Sequence, residues 1–172
     1  MIHSPGPPPP SHVPTDRQTA AEWTGRIAVL RETPPGWFFL LGRQSTDDHL
    51  CRLDLDYHLG RDFVAIVQTS RPAPDHFRVT SDTTPQSQLT NYLANSGRID
   101  HRAMLAPLAT TTSRGVIRVD GTAVPVEVHH SHGCRSAAVH RLPDQPGHLV
   151  VTAPDEHWAA VTDLVLRPPA AR

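Results

Sequence analysis

The stretch Cys51-Arg52-Leu53-Asp54-Leu55-Asp56-Tyr57-His58 alternates apolar and polar residues without a break. Successive side chains of an extended chain point to opposite faces. Cys51, Leu53, Leu55 and Tyr57 therefore share one face, and Arg52, Asp54, Asp56 and His58 the other. This is the pattern of a strand half-buried in an antiparallel sheet, and it sets the reading of its neighbours. Leu59-Gly60-Arg61-Asp62 turns the chain into Phe63-Val64-Ala65-Ile66-Val67, a continuous apolar run expected as the central strand. Upstream, Thr33-Pro34-Pro35-Gly36 is a turn signal. It separates Arg26 to Arg31, which could extend the preceding helix but is read as a strand, from Trp37-Phe38-Phe39-Leu40-Leu41, which reads as a strand buried on both faces.

Working outward, Thr15 and Gln18 have capping-box spacing ahead of a short helix carrying Ala20, Ala21 and Trp23. Past a loop at Pro72 and Pro74, a shorter strand is expected around Phe77 and Val79. Pro85 then starts a helix with Leu89, Tyr92 and Leu93 on one face, ended by Gly97. Asp100 caps a second helix carrying Met104, Leu105 and Leu108. Thr110 to Ser113 reads as a linker. The final third reads as a meander: Val116 to Val119, an Asp120-Gly121 turn, Ala123 to His129, Ser136 to His140 and Leu149 to Thr152. A short helix from Pro154 and a last strand over Leu164 to Leu166 follow. The expected class is α+β, mainly antiparallel sheet with two to four short helices packed on one face. Residues 1–14 are expected as a disordered proline-rich tail, 15–167 as a single α+β domain and 168–172 as a second tail.

Composition excludes more than it identifies. The 172 residues include 16 basic side chains, all of them arginine. Without lysine there is no lysine Schiff base, no P-loop lysine and no kinase-type strand lysine. The excess of Arg, Pro and Ala fits a GC-rich coding sequence. A net charge of −1 and dispersed arginines argue against nucleic acid as a partner. No apolar stretch approaches the ~18–20 residues of a membrane span. No secretory leader is read at the start, so the expectation is a soluble cytoplasmic protein with Cys51 and Cys134 reduced.

Two groups of residues invite chemistry. His129-His130-Ser131-His132-Gly133-Cys134 places His130, His132 and Cys134 on one side of an extended chain, and His140 follows one strand later. Imidazole and thiolate are zinc donors. Against this stand the 12 histidines of the chain, the hairpin position of Ser131-His132-Gly133, and the absence of HExxH or paired CxxC spacing. The second group is Asp54, Asp56 and His58, whose carboxylates stand ~7 Å apart along a strand. They suit a hard cation or an acid–base pair, but equally the wet face of a strand on which Arg52 neutralises Asp54. Arg114 and Arg118, on one strand face with Asp120, suit a solvated edge or an acidic partner. No nucleophile elbow, P-loop or dinucleotide fingerprint occurs. Trp23, Trp37 and Trp158 read as core anchors.

The functional expectation is a non-catalytic interaction module that binds a protein partner and needs no cofactor. Asp54, Asp56, His58 and Arg118 are its contact residues. The alternative is a small zinc-type enzyme or metal-binding protein using His130, His132, His140 and Cys134. Oligomeric state is left open.

Overall fold

The computed structural model describes residues 9–46, 49–70 and 111–172. The strand expected near Phe77 and Val79 and the helices expected from Pro85 and Asp100 lie outside the described residues. The elements are β1 (Val13–Thr15), α1 (Arg17–Glu22), β2 (Ile27–Leu30), β3 (Phe38–Thr46), β4 (His49–Leu59) and β5 (Asp62–Thr69). After these come β6 (Thr111–Val119), β7 (Thr122–Ser131), β8 (Cys134–Val139) and β9 (His148–Pro154). A 3₁₀ helix (Asp155–Val161), β10 (Asp163–Arg167) and β11 (Pro169–Ala171) complete the described chain.

Nine strands form one curled sheet in the order β2-β10-β6-β7-β8-β9-β5-β4-β3, a half-barrel. Its hairpins follow from turn chemistry. Asp120 and Gly121 join β6 to β7 with φ of 49° and 80°, and His132 and Gly133 join β7 to β8 with φ of 48° and 76°. Positive φ at both central residues is the two-residue turn whose twist matches that of paired strands. Register then aligns one apolar row across six strands, Leu41-Leu55-Ile66-Val151-Ala137-Val128. Leu53, Leu55, Ile66, Leu149 and Leu164 are fully buried on this inner face. Each such side chain contributes roughly 1.5–3 kcal/mol.

The curl brings β2 back across the interior toward β4 and β5, where side chains complete its hydrogen bonding. Gln68 on β5 accepts from the Ala28 N–H at 2.7 Å and donates to the Arg26 carbonyl at 2.9 Å. The Tyr57 hydroxyl on β4 accepts from the Leu30 N–H at 3.3 Å. Gln145, in the turn before β9, accepts from the Arg26 N–H at 3.0 Å and donates to the Arg26 carbonyl at 2.9 Å. The exposed edge that a sheet normally has to protect is here satisfied from within.

Burial pushes the Tyr57 phenol up from 10.0 to about 12, although the Leu30 N–H partly opposes this by favouring the phenolate. The folded state thus holds the proton more tightly than the unfolded chain. Stability attached to Tyr57 is full below pH 10 and is lost as pH rises toward 12. The loss should be on the order of 2 kcal/mol. The absence of lysine removes the side chains that would otherwise titrate most heavily in that window. Denaturation midpoints measured across it should fall for the wild type and stay flatter for Tyr57→Phe.

The expected α+β class is corrected: strands take up 60% and helix 11% of the described residues. Among the described residues the helices are the six residues of α1 and one 3₁₀ helix. Among the described residues the core is closed by the sheet curling on itself and not by a helical layer. Asp16, not Thr15, caps α1, accepting from the Thr19 N–H at 2.8 Å, and that bond holds its carboxyl below the usual range. The strand at Trp37 to Leu41 is not buried on both faces. It lies at the sheet edge, with Phe38 and Leu40 56% and 54% exposed while Trp37, Phe39 and Leu41 pack on the core. Phe63 to Val67 belongs to β5, between β4 and β9, and Val64 to Val67 are buried. Val13–Thr15 and Pro169–Ala171, at the margins drawn for the tails, pair as parallel strands and Val13 is buried.

Candidate functional site

The β6–β7 hairpin reaches beyond the sheet that supports it. β10 pairs with β6 only at Arg118 and Val119. The Arg118 N–H donates to the Thr162 carbonyl at 2.8 Å, and the Asp120 N–H to the Leu164 carbonyl at 2.9 Å. Backbone direction alternates along a strand, so Thr112, Arg114 and Val116 present their N–H and C=O groups to the same side. Among the described residues no strand meets them there. Their side chains are exposed, Val116 by half.

Beside this open edge lies a groove of about 610 Å³ lined by Thr112, Ser113, Arg114, Gly115, Pro125, Val126 and Glu127. Gly115 is one of the lining residues, and no side chain fits at its position, because a Cβ there would stand 2.7 Å from Cγ2 of buried Val128. Ser113 Oγ lies 2.7 Å from His130 Nε2, which steadies the strand pair at its far end. The recess is thus built from small side chains, with Arg114 and Glu127 as its charged groups.

The histidine cluster is placed by its turn. His132 and Gly133 form the hairpin tip, so the chain reverses instead of running straight through to Cys134. Cys134 pairs with Ser131, and His130 pairs with Arg135. His130 and Cys134 consequently lie on opposite faces. His140 follows the far end of β8 and is exposed. Burial, then Asp155 and Asp62, push the Cys134 thiol up, away from the thiolate form that metals and nucleophilic chemistry need. Burial pulls the His129 imidazole down, with Glu127 opposing and His130 assisting.

Asp54, Asp56 and His58 do share the outer face of β4. Arg52 Nε donates to Asp54 Oδ1 at 2.8 Å. The Asp56 carboxyl is pushed up by burial and then by Asp54. His58 stacks between Phe38 and Phe63, with ring centroids 5.2 and 5.9 Å apart. Arg118 lies five strand positions away in the sheet order, so these residues do not form one surface. Asp120 turns from the strand arginines to Arg26 Nη1 at 3.3 Å and the Leu166 N–H at 2.9 Å.

One group of metal-ligand type is assembled among the described residues, and sequence reading passed over it: Asp62, Glu156 and His157. Asp62 reads as a turn residue and Glu156 as first-turn helix charge. Their partnership depends on β5 and the 3₁₀ helix meeting, which no local spacing reveals. No helix among the described residues is long and apolar enough to cross a membrane. No protein-family model, curated protein or solved structure matches the chain.

Proposed function

We propose that this chain is a non-catalytic interaction module that takes an extended segment of a protein partner as an added strand along β6. The single observation that carries the reading is the edge from Thr112 to Val116, which no strand meets among the described residues because β10 begins only opposite Arg118. Added strands gain affinity from main-chain hydrogen bonds and specificity from recesses for alternate side chains. The groove over Gly115 would take such a side chain, and Arg114 and Glu127 would favour a segment carrying both charge signs. The other edges are less suited. β2 is satisfied by Gln68 and Tyr57, and β3 breaks register between Gln44 and Ser45, a device that discourages strand addition.

Linear peptides selected on the chain from a displayed library test the reading. Val116→Pro removes one edge N–H without entering the β7 side of the ladder. Selected peptides should bind this variant about tenfold more weakly, the equivalent of one or two main-chain hydrogen bonds. Their binding should slow amide exchange at Thr112, Arg114 and Val116. Peptides that bind wild type and variant alike, or that protect β3 instead, would defeat the proposal.

A further inference from the structure

Outside the β6 edge, the corner where the 3₁₀ helix crosses the start of β5 concentrates ligand atoms. His157 Nε2 stands 3.5 Å from Asp62 Oδ2 and 3.7 Å from Glu156 Oε1, and one ligand atom of each residue lies within 4.8 Å of the others. These separations exceed the ~2.7–3.2 Å of a hydrogen bond from ring nitrogen to carboxylate oxygen. They approach the ~3.4 Å between two donors that share a tetrahedral zinc at ~2.0–2.1 Å. The triangle is thus spaced as loose ion pairs that also lie near the spacing of a shared coordination shell.

The supporting structure holds the triangle in place. The His157 ring meets Trp37 edge-on, with centroids 5.1 Å apart and planes at 87°. The Asp155 N–H donates to the Gly133 carbonyl at 2.8 Å, and Arg135 Nε donates to Asp155 Oδ1 at 2.9 Å. Together with buried Val161, these contacts tie the 3₁₀ helix at both ends. Asp62 is fixed by its pairing with Leu59 at the start of β5. Glu156 and Asp62 are exposed while His157 is half-buried, so an ion can arrive from solvent and keep water in its open position.

We propose that Asp62, Glu156 and His157 form a three-ligand site for a divalent zinc-type cation, completed by water. One imidazole and two carboxylates are a borderline-to-hard donor set of the type zinc accepts in open sites. The proposal is independent of strand addition at β6, which lies elsewhere in the sheet.

Zinc titration by calorimetry on the full chain, purified without a histidine tag, provides the test, with cobalt absorption as a second readout. The wild type should bind one equivalent of zinc and melt at a higher temperature with it. Glu156→Gln, on an exposed side chain that does not disturb folding, should weaken binding at least about tenfold, as should Asp62→Asn and His157→Gln. The double variant His130→Gln/His132→Gln should bind as the wild type does. Absence of binding would overturn the assignment and leave an ion pair only. Binding that survives both Glu156→Gln and Asp62→Asn, or that is lost in the histidine double variant, would overturn it equally.

Discussion

Gly147→Ala is expected to cost about 4 kcal/mol of stability, combining backbone strain with a forced steric displacement. Gly147 has φ of +108°, a conformation that L side chains rarely adopt. A Cβ there would also collide with the Thr69 carbonyl oxygen, which is backbone and cannot rotate away. The consequences spread from that point. Gly147 ends the turn that presents Gln145 to Arg26 and immediately precedes the pairing of His148 with Thr69. Moving it therefore strains both the β5–β9 pairing and the tether on β2. Gly121 is the control. Its φ is also positive, at +80°, but nothing lies within 4 Å of its Cβ position. Gly121→Ala should lose only about 1 kcal/mol, the strain term alone. Urea denaturation of the two variants separates the cases, and equal losses would mean that the close approach at Thr69 does not govern.

The difference between those two glycines also marks what sequence can reveal. The turn at Asp120-Gly121 is legible because its chemistry is local: two residues with positive φ between alternating strands. The same holds for the inner face of β4, where Leu53, Leu55 and Tyr57 fall as alternation requires. Phe38 and Leu40 mislead, because a run of large apolar residues looks the same at a sheet edge and at its centre. Only strand order, a long-range property, tells the two apart. Among the described residues the expected helical layer is missing for a related reason. Layer counts follow from how a sheet covers its apolar face, and this sheet does so by curling. As for the sites, the His129 to Cys134 cluster is visible as spacing but divided by its own turn. Asp62, Glu156 and His157 are scattered in sequence and joined only in space.

Gln68→Glu is expected to destabilise the fold by about 4 kcal/mol at neutral pH, the scale on which a buried carboxylate resists ionisation. Gln68 is 0% exposed, and the two ends of its amide are engaged by the backbone of Ala28 in β2 and of Arg26 just before it. A carboxylate could still accept from the Ala28 N–H, but its second oxygen would face the Arg26 carbonyl. The carboxyl pKa should therefore rise on folding. Stability should be highest below the ordinary glutamate value of ~4.3 and fall as pH rises through the folded value. Gln68→Met keeps the length and removes the charge problem, leaving the buried Ala28 N–H without its acceptor. It should lose about 2 kcal/mol with little dependence on pH. Amide exchange at Ala28 provides the local readout and should accelerate in both variants. If β2 is held chiefly by β10, with which it shares four residue pairs, exchange at Ala28 would stay near wild type and both losses would be small. If the cross-barrel amide is the closure, loosening β2 uncovers a strand edge of four apolar residues, and both variants should also self-associate at concentrations where the wild type does not.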